Sequence, residues 1–143
     1  MEYFMNLWTG IGFGLLLCFK VWGTQAYVFV SFSMPEQLVT ETLDESARLH
    51  IPALLNGLIA NSMPETVKKI QALSKSVPNL NLQIDPTAFE RFGIKQVPAL
   101  VVEHAGNFDV LYGNLTLKEG LFRIATHGES GFSVADARRI LGD

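Results

Sequence analysis

Thiol chemistry is almost missing from this chain: 143 residues contain one cysteine, Cys18, and it lies inside an apolar N-terminal run. If that run is removed, the remaining domain has no cysteine, which excludes a disulfide framework, thiol catalysis and a cysteine-ligated metal site together. The three histidines, His50, His104 and His127, are widely spaced and form no H-x-x-H or H-E-x-x-H pattern, so metal-ligand spacing is missing too. Positive charge is scarce, with 11 Lys and Arg against 14 Asp and Glu for a net charge of −3. That balance leaves no basic patch of the kind nucleic-acid binding demands. No linker or low-complexity run divides the sequence. What remains, 48% hydrophobic and 17% charged residues, is the composition of an ordinary globular protein and excludes a disordered one. The length suits one domain with a sizeable core.

The apolar run itself, "LWTGIGFGLLLC" from Leu7 to Cys18, is short for a membrane span and right for the core of a signal peptide. Thr24-Gln25-Ala26 supplies small residues for cleavage after Ala26. Glu2 in place of a basic start, and Lys20 late in the run, favour the alternative of a retained membrane anchor. A buried N-terminal helix fits less well, because the segment is apolar on every face. Residues 1–26 are therefore assigned to a signal peptide or N-terminal anchor, which sends the rest across the inner membrane. Cleavage after Ala26 leaves a mature domain with no cysteine.

From there the pattern alternates. "YVFVSF" (27–32) is a buried-strand run, and Ser33-Met34-Pro35-Glu36 follows as a Ser-x-x-Glu capping box with proline in the first turn. The helix it opens runs to about His50, with Leu38, Val39, Leu43 and Ala47 on one face. "IPALLNGLI" (51–59) reads as a second strand. Ser62-Met63-Pro64-Glu65 repeats the capping pattern ahead of a helix to about Ser76, on which Val67, Ile70 and Leu73 face together. "LNLQI" (80–84) is a third strand, Asp85-Pro86 caps a short helix to about Phe92, and Gly93 suits the helix-ending position with positive φ. "VPALVV" and "FDVLY" (108–112) form a hairpin around the turn "HAGN". Thr116 to Glu119 opens a late amphipathic helix, and Ser133 caps a last short one. Strand–helix units followed by a hairpin and helix predict an α/β domain with a mixed sheet of about five strands flanked by helices.

"LNLQIDPTAFERFGIKQVPALVV" resembles the second half of a thioredoxin, and that likeness implies a cis peptide at Val97-Pro98 facing the turn at Ser33-Met34-Pro35-Glu36. Ser33 and Glu36 then stand where a thioredoxin carries its paired cysteines, and no CxxC is present. A longer resemblance runs through "SFSMPE", "GL" after the second strand, "QIDPTAFERFGIKQVPALVV" and "YGNLTLKEGLFRIA". These motifs are similar to those of the TrbC family, periplasmic assembly proteins of F-type conjugative pili. One departure is Asn56-Gly57-Leu58, where the family commonly has Arg-Gly-Leu. The resemblance implies a thioredoxin-like TrbC domain over 27–129 and a tail over 130–143. It further implies a periplasmic place in a type IV secretion system and partners among other transfer proteins, a TraW-like protein foremost. It implies no catalytic residue and no cofactor.

The residues leave narrow room for an enzyme. A helix N-terminus lowers a thiol's pKa into the useful range, but it does not do so for the hydroxyl of Ser33, which needs a neighbouring base. None of the three histidines is placed beside it by the element order, and a plain N-cap is the simpler account of Ser33. Met34, at an exposed helix start, has two readings: a small adaptable apolar patch beside Pro35, Val97 and Pro98, in the place where thioredoxins hold a bound polypeptide by strand addition, or a side chain tucked under the loop with Pro35 only starting the helix. Arg91 and Lys95 are expected to be solvated. The sequence thus points to a non-catalytic protein that binds a partner through Ser33, Met34, Pro35, Glu36, Val97 and Pro98. A peptide-holding chaperone outside conjugation is the alternative, and a serine hydrolase or a redox protein using a partner's thiol is a third.

Overall fold

The computed structural model describes residues 23–143, so the Leu7–Cys18 run and its cysteine lie outside the described residues. The sheet has five strands in the order β3-β2-β1-β4-β5. Strand β1 (Thr24–Val30) pairs in parallel with β2 (Ala53–Leu55), which pairs in parallel with β3 (Leu82–Ile84). On its other side β1 runs antiparallel to β4 (Ala99–His104), which forms a hairpin with β5 (Asn107–Tyr112). The expected mixed five-stranded sheet is present.

Several boundaries differ from the sequence reading, those of β1 and β2 the most. β1 starts at Thr24 instead of Tyr27, because its first residues continue the antiparallel ladder with Val102, Glu103 and His104. Ala26, after which cleavage is expected, is buried within it. β2 covers three residues of the nine expected; Asn56-Gly57 stops it, and Ile59–Asn61 forms a single 3-10 turn.

Helices α1 (Glu36–Arg48), α2 (Met63–Ser76), α4 (Leu117–His127) and α5 (Val134–Leu141) contribute to one core, and α3 (Pro86–Arg91) to the other. The alternation of β1 divides the two cores. Ala26, Val28 and Val30 pack with Val39, Leu43 and Ala47 of α1 and with Leu121 and Ile124 of α4. Phe29 faces the opposite way, meeting Phe89 edge-on at 4.8 Å. Val39, Leu43 and Ala47 recur every four residues, so one stripe of α1 is buried and the rest faces water. Burying a side chain of this size stabilises by about 1.5–3 kcal/mol.

Most helix ends follow the sequence. Ser62, Asp85, Thr116 and Ser133 each accept a bond from a first-turn amide, and the last two complete capping boxes with Glu119 and Asp136. Gly93 takes its left-handed conformation (φ 62°) after α3. His50 does the same after α1 (φ 55°), while Ile51 N–H reaches the Ser46 carbonyl at 2.9 Å. This 6→1 closure satisfies carbonyls that the helix end leaves open.

Helix α4 is fastened at both ends by carboxylates from other elements. Glu45 of α1 accepts the Leu117 and Lys118 amides at 2.8 and 3.1 Å, a negative charge at a helix N-terminus. Just beyond the other end, Asp109 of β5 accepts the Glu129 and Ser130 amides at 2.9 Å each. A Cβ on Gly128 would press on Asp109 and lie 2.6 Å from the Ile124 carbonyl, so the close approach requires glycine there. Burial alone would raise the Asp109 pKa. The bonds from the Ser130 hydroxyl and the Glu129 and Ser130 amides outweigh that and hold it below the ordinary carboxylate value.

A carboxyl whose folded pKa is depressed adds stability above its unfolded value of about 3.9, and that stability drains away as pH falls through the folded value. The protection of the amides of residues 129–141, taken relative to their intrinsic exchange rates, is therefore expected to fall selectively as pH drops below about 4. Asp109→Asn should flatten that pH dependence and lower stability at neutral pH, measurable by denaturant titration. Gly128→Ala should cost about 1–3 kcal/mol in the same assay.

Candidate functional site

The carboxyl ends of parallel strands are where α/β sheets hold their ligands, and here that edge is built by the turn after β1. The backbone closes tightly: Met34 N–H donates to the Ser31 carbonyl at 3.1 Å, and Ser31 N–H points at the Met34 sulfur at 3.4 Å. The hydroxyls of Ser31 and Ser33 lie 2.8 Å apart, and Ser33 N–H donates to Ser31 Oγ at 3.2 Å.

This is not the expected capping box. Helix α1 begins two residues later than the pattern requires, with Pro35 at the N-cap and no side-chain cap bond. Ser33 thus bonds within the turn. Glu36, now the first helical residue, reaches Lys69 of α2 at 3.0 Å. At the second Ser-Met-Pro-Glu the box is half made: Ser62 is the N-cap and accepts the Glu65 amide at 3.3 Å.

The two methionines account for the difference. Met34 is 9% exposed and belongs to the core over α1, whereas Met63 is 52% exposed. Drawing Met34 inward rolls the chain into a turn before the helix starts. The apolar patch expected at Met34 is therefore not on the surface; the side chain underpins the turn, and Ser33, Pro35 and Glu36 form its exposed rim.

Val97-Pro98 is a cis peptide, as the resemblance implied. Continuing the β1–β4 register from Phe29 opposite Ala99 sets Pro98 across from Val30 and Val97 across from Ser31. Both are half-buried, and the Pro98 carbonyl accepts the Gly113 amide at 3.3 Å. The structure thus brings together the turn and the proline step, two of the segments singled out from sequence.

A third segment was missed. An open groove of about 440 Å³ separates the turn from the stretch after β2, with Phe32 and Ser33 on one wall and Asn56, Leu58 and Asn61 on the other. Ala60 and Asn61 both have positive φ, 47° and 54°, an uncommon conformation for non-glycine residues. Thr66, fully buried, holds the stretch by accepting the Ile59 amide at 2.9 Å and donating to the Ser62 carbonyl at 2.7 Å. The signal available in sequence was Asn56-Gly57, a turn marker inside an apolar run.

Chemically the groove offers hydroxyls, amides and apolar edges. Its lining contains no imidazole. His104 bonds to Thr24 and His127 to Thr126, each at 2.7 Å, while His50 lines a hollow around the start of β1. No imidazole among the described residues is therefore hydrogen-bonded to Ser33. No group of three His, Cys, Asp or Glu side chains in that region is placed to hold a metal. Arg91, expected to be solvated, is exposed, and it also pairs with Glu103 and lies over the Phe92 ring at 4.7 Å.

Residues 28–124 match the family described as type-F conjugative transfer system pilin assembly protein. The chain is 38% identical over 104 residues to the periplasmic protein TrbC of Escherichia coli (strain K12), covering 73% of this chain and 49% of that protein. It thus spans about half the length of that curated relative. Among solved structures it resembles DsbF of MTB in its mixed oxidized and reduced forms, with a TM-score of 0.54 and 18% identity over 73% of this chain and 81% of that one. At that identity the likeness concerns the fold, which is thioredoxin-like, without a CxxC.

Because Met34 supports the turn from beneath, Met34→Ala should destabilise by about 2–5 kcal/mol. Ser33→Ala, on the exposed rim, should stay within about 0.5 kcal/mol of the parent. Thermal unfolding of both variants checks this ordering, and equal losses would place the weight of the turn on its hydroxyls instead.

Proposed function

The chain belongs to the family of type-F conjugative transfer system pilin assembly proteins, and on that premise we propose that it is a non-catalytic periplasmic assembly factor. It works by gripping another transfer protein along the rim of Ser33, Pro35 and Glu36, the adjoining groove, and the edge at Val97-Pro98. Met34 shapes this surface from below. A TraW-like protein is the partner the resemblance favours.

The observation that carries this reading is the chemistry of the turn. The fold keeps a strand, a helix start and a cis-proline step, and the thioredoxin likeness sets Ser33 and Glu36 at the positions of the paired cysteines. Ser33 is bonded to Ser31 and Glu36 to Lys69. A serine hydroxyl ionises far above neutral pH, and nucleophilic use requires a base within hydrogen-bond reach. What such a surface still supplies is shape, exposed backbone and a few polar side chains, which is what recognition of a protein chain requires. The periplasmic location follows the name of the Escherichia coli relative and the apolar N-terminal run.

The deciding experiment deletes the gene in a conjugative host and counts pili and DNA transfer after complementation. Complementation with Ser33→Ala, which removes one hydroxyl from the rim, should lower transfer by no more than about fivefold. Phe32→Asp combined with Ser33→Arg, which crowds and charges the groove, should lower transfer by at least about tenfold, the ratio that 1.4 kcal/mol of lost binding produces. Abolished transfer with Ser33→Ala, at normal protein level and with partner pull-down intact, would return the hydrolase reading. Normal pili in the deletion strain would remove the assembly role.

A further inference from the structure

The free edge of the sheet carries a second recognition surface. Strand β5 ends the sheet, and its hairpin loop has two residues, Ala105 and Gly106, both with positive φ (52° and 84°). In such a hairpin the flanking pair, His104 and Asn107, is hydrogen-bonded. Alternation then turns the backbone of Asn107, Asp109 and Leu111 toward β4, and that of Phe108, Val110 and Tyr112 outward. The Gly113 amide bonded to Pro98 continues the same parity. An exposed edge of this length is a template for another strand.

The two faces beside that edge differ. On the α3 face, Phe108 and Tyr112 are 45% and 40% exposed, two of the largest apolar exposures among the described residues. Phe108 stands edge-on to Phe92 at 5.0 Å, and the Tyr112 hydroxyl donates to the Gly93 carbonyl at 3.2 Å, so both rings are held in place. On the other face, β5 and α4 enclose an open groove of about 510 Å³ with Leu111 and Ile124 as apolar walls and Arg123 and His127 among its polar lining. Asp109 also lines it, but its oxygens are taken by the Glu129 and Ser130 amides. Arg123 forms no ion pair among the described residues.

We infer that β5 accepts an extended strand from a partner protein, apolar where it crosses Phe108 and Tyr112 and acidic where it enters the Arg123 groove. Charge decides the occupant. A second copy paired antiparallel about Val110 would bring two Arg123 side chains to the same region, and like charges across a strand pair repel. An acidic side chain gains a bidentate partner there. This surface is distinct from the turn at Ser33, and its test uses neither pili nor transfer, so either reading can fail alone.

Two nine-residue peptides of alternating valine and threonine, one with aspartate and one with lysine at the central groove-facing position, are the probes. With the full chain, the aspartate peptide should slow amide exchange at Phe108, Val110 and Tyr112 and bind at least about tenfold more tightly than the lysine peptide. Arg123→Glu should reverse that preference. Val110→Pro removes an outward amide without touching the β4 ladder and should abolish protection. Absence of protection with either peptide, or equal affinity for both, overturns the proposal. So does protection of the same amides without peptide, accompanied by a concentration-dependent dimer, which would assign the edge to a second copy.

Discussion

The alternation of the central strand governs the rest of the molecule. β1 is bonded on both sides, parallel to β2 and antiparallel to β4, and its last three residues, Val28, Phe29 and Val30, are almost wholly buried. With both edges and both faces occupied, the strand has one register, since a slip of one residue would exchange the two cores. That register fixes where the chain leaves the sheet at Ser31, and where the antiparallel partner delivers Pro98 beside it. The candidate site is a consequence of where β1 ends.

Around this strand the two layers are held by different means. The α1 side carries a large apolar core. Its polar fastenings are few but well placed, with Glu45 and Asp109 securing opposite ends of α4. The α3 side rests on one six-residue helix and a group of aromatic rings. That thinner layer leaves Phe108 and Tyr112 partly uncovered, while the hairpin that carries them is rigid. Exposed apolar groups on a rigid edge suit recognition better than exposed groups on a mobile loop, because less entropy is lost when a partner orders them.

By the thioredoxin likeness Ser33 and Glu36 fall where a thiol pair would stand, and no cysteine lies anywhere from Thr24 to the end of the chain. The helix N-terminus and the facing proline edge remain, and the ability to form a covalent intermediate does not follow from them.

Much of the architecture was legible in the sequence. Short apolar runs located the strands, and apolar residues recurring on one face located the helices. Asp85, Thr116 and Ser133 announced helix starts through local chemistry that needs no distant partner. Gly93 and the cis Val97-Pro98 step were likewise anticipated, the latter through family likeness. The short second strand and its groove wall at 56–61 were not, because an apolar run does not say where pairing stops. The two Ser-Met-Pro-Glu segments mark the limit most clearly. Identical letters carry identical local preferences, yet Ser62 caps its helix and Ser33 does not. What sequence by itself determined was the set of available local bonds, the position of the strands and the lack of a thiol in the domain. Only the tertiary structure decided which bonds formed, because burying Met34 against the core outweighs one exposed capping bond and moves the helix start past its serine.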